Sequence, residues 1–457
     1  MLTYTLKKSN GVPLYEALYR CIRGDILAGN LAPGTKLPSK RALAQNLEVS
    51  KITVEAAYNQ LLAEGYLRSQ EKVGYFVEAL DRPAPPKTAP PPPQAKEPDP
   101  LIDLTEGGAE QFPFSVWSKL QREVMLDYGE TLLLPLPNQG IPELREAIAR
   151  HLESFRGMQV DPENILIGAG TDFLYNLLIQ LLGREKVYAV EEPGYGKIRK
   201  IYLAGGVKTV SAPMDHMGVL PGGLGNADVL HFSPSHHFPT GLVTPMSRRL
   251  ELLAWAKEGN YLIEDDYDSE FRLEAHPMPS MLSLDTGGHV IYMNTFSKSL
   301  APSIRISYMV LPQALRQEFQ EKLGFYSCTV PSFEQYTLAR FLSRGYFEKH
   351  LNRMRKFYRS RRASMVRLVQ EAPCSGKLTM EERDAGLHFL LKVRTDMDDG
   401  SLVQALRRRG VRVRALSEYY HDASGDRRTL VVNYASLKEE DLQKALEVLG
   451  EILENRE

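Results

Sequence analysis

A proline-rich stretch constrains the folding of this chain more than any other feature. Residues 81–100 read DRPAPPKTAPPPPQAKEPDP and contain nine prolines in twenty positions. Proline lacks the backbone N–H that helices and central strands require, and proline-rich chains favour extended polyproline II. The stretch therefore predicts a linker at 81–100 that separates a small part, 1–80, from a large part that begins at 101. An SH3-type ligand is the alternative interpretation, and it is not favoured in this context.

Length, charge and cysteine usage narrow the class of protein. The 457 residues predict two to four domains, and the net charge of −1 provides no global field for nucleic acid, so any DNA contact must come from a local patch. Three scattered cysteines, Cys21, Cys328 and Cys374, indicate a reducing cytoplasm and no structural metal. No apolar run approaches the ~20 residues that a membrane span needs, and residues 1–10 lack a signal core. We expect a soluble, cytoplasmic protein with no membrane partner.

Residues 1–80 predict a helix-turn-helix followed by a hairpin. Residues 13–29 carry apolar side chains at helical spacing, and Ser39 and Ser50 are candidate N-caps of a second and a third helix. Residues 67–77 alternate around a short polar turn, which predicts two paired strands. Ten Lys plus Arg against seven Asp plus Glu leave a local excess of +3 in this part. A basic helix-turn-helix in a neutral chain indicates a DNA-binding unit.

This first part resembles the GntR-type winged helix, through the sequences LAPGTKLPSKRALA and AEGYL. The resemblance implies double-stranded operator DNA as a partner, read by the third helix in the major groove. It places Ser39 and Arg41 against the DNA backbone or a base, and Ser50, Lys51 and Thr53 in the groove. The alternative is a small helical interaction domain that does not bind DNA.

From residue 101 onward, helical and strand patterns alternate. Residues 144–155 form an amphipathic helix pattern, and 164–167, 186–190 and 229–232 read as strands, which predicts a parallel α/β sheet. Residues 168–171, GAGT, would place glycine amides at a helix N-terminus. Such a segment is either a phosphate seat or an ordinary tight turn.

The segment 294–305, NTFSKSLAPSIR, contains one lysine among hydroxylated residues and an arginine seven positions later. A lysine amine attacks an aldehyde only when it is neutral, so a Schiff-base lysine needs a suitable environment. Thr295, Ser297 and Ser299 supply hydroxyls, and Arg305 supplies a cation for phosphate. The segment predicts a phosphate site beside a reactive amine, Lys298, although a solvated turn can have the same sequence.

Residues 261–268, YLIEDDYD, read as a buried strand that carries carboxylates to the edge of the sheet. Side chains alternate along a strand, so Asp265 and Tyr267 are predicted to lie on the same side. A carboxylate for a pyridinium nitrogen, with a phenol beside it, suits pyridoxal 5′-phosphate (PLP). The alternatives are an acidic loop or a metal site, and without nearby His or Cys we expect no metal.

Five segments in order resemble fold-type I aminotransferases: GAGTDFLYNLL, EEPGYGK, SPSHHFPTG, IEDDYDSEF and TFSKSLAPSIRISYMVLP. With the winged helix in front, the whole chain resembles MocR/GabR-type transcriptional regulators. The resemblance implies a large PLP-binding α/β domain at 101–329 and a smaller α+β domain at 330–457. It also implies a homodimer with the site at the subunit interface.

The resemblance further implies a role for each matching residue. Lys298 would form the internal aldimine with PLP, Asp265 would pair with the pyridine nitrogen, and Tyr267 would hydrogen-bond the ring oxygen. Tyr195 would stack on the ring. The phosphate would be surrounded by Gly170, Thr171, Thr295, Ser297 and Arg305. The stretch 236–238 stands where aminotransferases usually carry an asparagine before PTG.

Three departures from the family pattern concern the effector. Val431 stands where the family often has an arginine for a substrate carboxylate, and the sequence does not place the nearby candidates Arg412, Arg414, Arg427 and Arg428. Lys197 stands where one relative uses arginine, and a lysine cannot make the bidentate fork. The segment LLLPLPNQG lacks the tyrosine that relatives offer to the neighbouring subunit's phosphate. These departures leave PLP binding expected and argue against a GABA-like or α-carboxylate effector.

The leading hypothesis is a PLP-dependent transcriptional regulator in which an amine or amino-acid effector, or PLP itself, changes DNA binding. The alternative is a working aminotransferase with a fused DNA-binding module, which brisk multiple-turnover transamination would reveal. A third possibility keeps the fold without a cofactor and predicts no absorption band after addition of PLP. The sequence does not predict the operator, the direction of regulation or the effector.

Overall fold

The chain folds into two compact units, Met1–Glu97 and Pro98–Glu457. The computed structural model describes residues 2–4, 6, 13–79, 102–105, 111–257, 259–272, 278–381, 386–421 and 427–454. The predicted linker at 81–100 lies outside the described residues. Within the described ranges, no helix combines the length and the apolar character needed to cross a bilayer.

The first unit is a three-helix bundle with a two-stranded wing. Its elements are α1 (Leu14–Ala28), α2 (Lys40–Asn46), α3 (Lys51–Ala63), β1 (Leu67–Gln70) and β2 (Gly74–Val77), and the two strands pair antiparallel. Helix α1 ends at Gly29, whose φ of 83° is the left-handed conformation that glycine adopts without strain. Ser39 and Ser50 cap α2 and α3 by accepting backbone N–H bonds at 3.2 Å and 3.1 Å. The predicted winged helix-turn-helix is confirmed.

Apolar side chains from all three helices and both strands form the core of this unit. They include Leu18, Ile22, Leu43, Val54, Ala57, Tyr58, Leu61, Leu67 and Val77. The Tyr58 phenol donates a 3.0 Å hydrogen bond to the carbonyl of Pro38, and its ring packs edge-on against Tyr75. Leu62 is only partly buried. The core fixes α3 against α2 and leaves the N-terminal turn of α3 exposed.

The second unit alternates helices and strands over most of its length. Its first half contains β3 (Ile102–Asp103), α4 (Phe114–Tyr128), α5 (Pro142–Arg156), β4 (Ile165–Gly168), α6 (Thr171–Leu182), β5 (Val187–Glu192), α7 (Gly196–Ala204), β6 (Lys208–Asp215), β7 (Gly218–Val219), β8 (Val229–Phe232), α8 (Met246–Ala256) and β9 (Tyr261–Asp265). The second half contains α9 (Met281–Leu284), β10 (Val290–Thr295), α10 (Phe296–Ser299), β11 (Ser307–Val310), α11 (Gln313–Leu323), α12 (Ser332–Ser343), α13 (Tyr346–Glu371), β12 (Leu378–Glu381), β13 (His388–Val393), α14 (Asp399–Arg408), β14 (Val411–Arg412), β15 (Arg414–Ala415), β16 (Thr429–Asn433) and α15 (Glu439–Glu454).

The large sheet is mixed rather than wholly parallel. Its strand order is β4-β11-β10-β9-β8-β5-β6-β7. Strands β6, β5, β8, β9 and β10 are parallel, whereas β11 runs antiparallel to both β10 and β4, and β7 antiparallel to β6. The prediction of a parallel sheet is therefore wrong for β11 and β7. Only residues 296–306 join β10 to β11, and this connection is shorter than the dozen or more residues that a parallel crossover needs.

The carboxyl ends of the central strands meet at one edge of the large sheet. Strands β9 and β10 pair in parallel, with Met293 opposite Asp265, so β9 and β10 end side by side at Asp265 and Thr295. Strand β4 runs in the same direction as β10, because β11 is antiparallel to each of them. Gly168, the last residue of β4, therefore lies at the same edge. This edge collects the residues of the candidate site.

A second, smaller sheet has the antiparallel order β12-β13-β16-β15. Its inner side chains, including Phe389, Leu391, Leu430 and Val432, pack with α13, α14 and α15 in one core. Alternation along the strands puts His388, Leu390 and Val431 on the opposite face. The division at 101–329 and 330–457 stays a prediction, since residues 98–457 form a single compact unit.

Candidate functional sites

Asp265 is the last residue of β9, and its carboxylate is buried. Among the described residues, only one of its two oxygens has hydrogen-bond partners. The Tyr175 phenol on α6 donates a 2.6 Å hydrogen bond to Asp265 Oδ2, and His231 Nε2 on β8 lies 3.3 Å from the same oxygen. The other oxygen, Oδ1, is buried and has no hydrogen-bond partner in the described part of the chain. Buried polar atoms without partners are costly, so this oxygen indicates a donor supplied by a ligand.

Two residues that the sequence analysis missed hold this carboxylate in place. Burial, and next the charge of Asp265, raise the pKa of Tyr175 well above its usual value, so the phenol stays a donor. His231 Nδ1 lies 2.7 Å from the Tyr202 hydroxyl, which fixes the ring. Tyr175 lies one helical turn beyond Thr171, a spacing that places both on one face of α6. His231 is the one polar residue of VLHF in β8, a signal that could have identified it.

Lys298 lies in the four-residue helix α10, directly after β10, and its side chain is exposed. The hydroxyl of Thr295 accepts a 3.1 Å bond from the Ser297 backbone N–H and a 2.8 Å bond from the Ser307 hydroxyl. Thr295 thereby fixes the start of the helix that carries the lysine. Direct phosphate contacts by Thr295 and Ser297 stay predictions.

Gly170 and Arg305 form a cradle beside the start of α6. A Cβ atom at Gly170 would lie 2.3 Å from Arg305 Nη2, and the φ of Gly170 is 88°. The Arg305 guanidinium donates to the carbonyl of Ala169 at 3.3 Å and lies 3.4 Å from Asp172. Thr171 begins α6 here. A guanidinium, a glycine backbone and a helix N-terminus converge, which is the chemistry that binds a phosphate.

Tyr267 does not lie on the strand, contrary to the alternation argument, because β9 ends at Asp265 and Tyr267 occupies the following turn. Its hydroxyl lies 3.2 Å from His236 Nδ1, and that nitrogen lies 2.7 Å from Asp268. Burial, and next the charges of Asp268 and Asp265, raise the pKa of Tyr267 well above its usual value. The phenol therefore stays protonated and close to the carboxylate of Asp265.

An aromatic wall borders the region around Asp265, Lys298 and Arg305, which we call the cleft. Tyr195 precedes α7, is 51% exposed, and packs edge-on against Phe238. The Phe238 ring also contacts His388 at 5.0 Å and Tyr419 at 5.2 Å between centroids. Burial lowers the pKa of His388 to about 3, with smaller contributions from His236 and from Lys298, so His388 is a neutral neighbour of the lysine. Neither His388 nor Tyr419 was predicted from the sequence.

In the first unit, the exposed N-terminal turn of α3 carries the predicted DNA-reading residues. Lys51 is exposed and Thr53 partly so, and the hydroxyls of Thr53 and Ser50 lie 2.8 Å apart. Arg41 is exposed on α2. Ile52, which was not predicted, is 77% exposed. An apolar side chain there is able to contact a thymine methyl group, and contacts of these residues and of Ser39 with DNA stay predictions.

The cleft fits PLP on three independent points. The unpartnered Asp265 oxygen suits a protonated ring nitrogen, the cradle of Gly170 and Arg305 suits the phosphate, and the Lys298 amine suits the aldehyde. The fold and the two sites thus define a winged-helix DNA-binding unit joined to a PLP-dependent aminotransferase fold.

Comparisons with known proteins place the chain in a family. The profile "Aminotransferase class I and II" matches residues 99–449, and "Bacterial regulatory proteins, gntR family" matches residues 14–77. The HTH-type transcriptional regulator YdeL of Bacillus subtilis is 37% identical over 98% of both chains. The probable rhizopine catabolism regulatory protein MocR of Rhizobium meliloti is 32% identical over 97% of this chain and 94% of its own. The chain belongs to the MocR-type regulators, which combine a GntR winged helix with an aminotransferase class I and II domain.

Two further comparisons support the same family and the same fold. The pyridoxine biosynthesis regulator PdxR of Corynebacterium glutamicum is 31% identical over 93% of this chain and 92% of its own. An archaeal alanine:glyoxylate aminotransferase superposes with a TM-score of 0.70 and 26% identity, over 78% of this chain and 91% of its own. The recognised family, the fold class and PLP as the cofactor are confirmed.

Proposed function

We propose that this regulator senses PLP at Lys298, or an amine or amino acid that binds at the same site. We further propose that occupancy of this site changes operator binding by the winged helix. The carrying observation is the Asp265 oxygen that is buried without a protein partner. A chain that used the aminotransferase fold only as a scaffold would have no physical need for such an atom. The relative named as a pyridoxine biosynthesis regulator supports PLP as one signal.

Different residues of the cleft would hold different parts of the cofactor. When bound, PLP supplies a protonated ring that withdraws electrons and an aldehyde that amines attack. Lys298 provides the amine that holds it, and Asp265 stabilises the charge of the ring nitrogen. Tyr267 donates a hydrogen bond to the ring oxygen, and Tyr195 covers the ring. The phosphate is bound by Gly170, Thr171, Thr295, Ser297 and Arg305.

A homodimer is the form in which we propose that the protein acts. Large apolar side chains, each more than half exposed, cluster on α4 and the segment after it: Phe114, Met125, Leu126, Leu133 and Leu134. Apolar clusters of this kind mark interaction surfaces, and a second copy of the chain is the occupant that the family resemblance implies. A dimer would present two winged helices to two half-sites of an operator, in the cytoplasm where the DNA is.

The visible absorption spectrum tests the sensing site. After addition of PLP, wild type is expected to show the band of a lysine-bound cofactor, and Lys298→Ala is expected to lose it. Lys322→Ala, an exposed lysine on α11, is the matched control and should keep the band. A band that persists in Lys298→Ala would contradict the assignment. Brisk multiple-turnover transamination by wild type would favour the alternative, an active aminotransferase.

A further inference from the structure

The outer face of the small sheet borders the cofactor cleft. On β13 and β16, the side chains of Leu391 and Val432 point into the core, so His388 and Val431 lie on the other face. His388 reaches the cleft, because its ring lies 5.1 Å from His236 and 5.0 Å from Phe238. A long side chain on this face of the sheet is therefore able to extend towards the cleft.

Arg414 on β15 occupies that position. It lies directly opposite Val431 in the antiparallel register, and directly opposed residues share a face of the sheet, with Cβ atoms about 4.5–5.5 Å apart. Its side chain is exposed, and the guanidinium hydrogen-bonds the phenol of Tyr419. Tyr419 packs edge-on against Phe238 at 5.2 Å. The guanidinium thus lies at the mouth of the cleft, beside the aromatic wall.

The other candidate cations either have partners already or lie at the other end of β16. Lys197 forms a 2.7 Å ion pair with Asp172, and Arg305 contacts the same carboxylate at 3.4 Å. Arg412 pairs with Asp103 at 3.2 Å, and Arg427 stacks on the ring of Tyr420. Arg428 precedes Thr429, at the end of β16 opposite to the residue that pairs with His388. These cations are therefore not the ones that we expect to bind an effector group at the mouth of the cleft.

Arg414 has no acidic partner in the part of the chain that the structure describes. The acid nearest in sequence, Glu418, accepts the backbone N–H of Ala415 at 2.8 Å instead. A guanidinium presents parallel N–H donors that match the two oxygens of a carboxylate, and the apolar rings beside it strengthen such a pair. An exposed, uncompensated guanidinium at the cleft mouth therefore indicates an anionic group on the ligand.

We propose that Arg414 binds a carboxylate of the effector, so that the effector is a primary amine that also carries a carboxylate. The proposal rests on the proposed sensing function and narrows its ligand class. It also replaces the expectation, drawn from Val431, that a carboxylate has no anchor. The anchor comes instead from the neighbouring strand, displaced sideways by about 4.8 Å, the spacing of adjacent strands. The displacement favours a particular separation between the amine and the carboxylate.

Matched ligand pairs test the proposal on the PLP-loaded full chain. Straight-chain amino carboxylates with one to five carbons between the two groups are titrated while the visible band is recorded. Each is compared with the amine that lacks the carboxylate. Wild type is expected to bind at least one amino carboxylate roughly 10- to 100-fold more tightly than its partner amine, as for a charge-assisted hydrogen-bonded pair.

The variants separate the two proposals. Arg414→Ala is expected to abolish the preference for the carboxylate while keeping the band and the response to simple amines, and Arg414→Lys should restore part of it. Arg412→Ala, a neighbouring arginine already paired with Asp103, should keep the full preference. A preference that survives in Arg414→Ala, or that is missing in wild type, overturns the proposed role of Arg414 but not the proposed sensing function. A band that no amine of either kind shifts removes amine sensing as well, and with it this proposal.

Discussion

The phenol of Tyr175 donates a 2.6 Å hydrogen bond to one oxygen of Asp265, and the other oxygen of that carboxylate is buried without a partner among the described residues. One helix, α6, therefore carries both the brace for the carboxylate, Tyr175, and the start of the phosphate cradle, Thr171. Such an arrangement would hold two ends of a flat cofactor from a single rigid element.

Asp265→Asn should weaken PLP binding by roughly tenfold or more, because a neutral amide does not balance a protonated ring nitrogen and a hydrogen bond to a charged group contributes about 1.5–3 kcal/mol. Tyr175→Phe should have a smaller effect, since His231 still contacts the same oxygen at 3.3 Å. Absorbance titration with PLP measures both. Equal affinities for Asp265→Asn and wild type would rule out the assigned pairing.

Gly170→Ala should destroy the phosphate cradle. The added Cβ would lie 2.3 Å from Arg305 Nη2, and the φ of 88° is strained for alanine. The affinity for PLP should fall more than tenfold, whereas that for pyridoxal, which lacks the phosphate, should change much less. Gly196→Ala is the control, because a Cβ there meets nothing within 4 Å. Equal losses for both ligands would show that the glycine does not serve the phosphate.

Glu270 should make the stability of the protein depend on pH. Burial, and next the charge of Asp266, raise the pKa of Glu270 from 4.5 to about 7. Its contribution to stability is therefore full below pH 4.5 and is lost as the pH rises through about 7. Glu270→Gln should remove this loss, so the free energy of unfolding of the variant relative to that of wild type should increase by roughly 2–3 kcal/mol from pH 5 to pH 8. Urea unfolding at both pH values measures the difference.

The control for this experiment is Glu153→Gln, an exposed glutamate on α5. It should follow wild type at both pH values. If Glu270→Gln shows the same pH dependence as wild type, the buried carboxyl is not the group that titrates.

Lys51→Ala should weaken DNA binding and reduce the salt slope of log affinity by about 1, because it removes one cation from the DNA interface. Ile52→Ala should keep that slope and lower the preference for the selected sequence, because an apolar side chain contacts bases rather than phosphates. Fluorescence anisotropy at several salt concentrations separates the two effects. An unchanged slope in Lys51→Ala would exclude Lys51 from the DNA interface.

Local signals in the sequence predict much of this molecule. Ser39 and Ser50 cap their helices as expected, because N-capping depends on the residue and its next few neighbours. Asp265 and Thr295 meet at one sheet edge because parallel strands end together. The predicted location of Tyr267 on the strand was wrong, because the sequence does not show at which residue a strand ends.

The parts of the site that come from the small sheet had no local signal. Arg414 lies opposite Val431, and Val431 opposite Leu390, through pairings between strands that are distant in sequence. His388 reaches the cleft only because its strand pairs in that register. Four arginines were candidates from the sequence, and Arg414 is distinguished among them by the strand register and by the partners that Arg412 and Arg427 already have.

The central claim is that occupancy of the Lys298 site controls DNA binding. The most direct measurement uses duplexes that the full chain selects from a random pool, with affinity measured by anisotropy for PLP-free and PLP-loaded protein, with and without amino carboxylates. Wild type should change its affinity by about 5- to 150-fold between at least two of these states, the usual range of allosteric coupling, and Lys298→Ala should show one affinity in all of them. A wild type whose affinity is the same in every state, while its visible band responds to the ligands, would contradict the account.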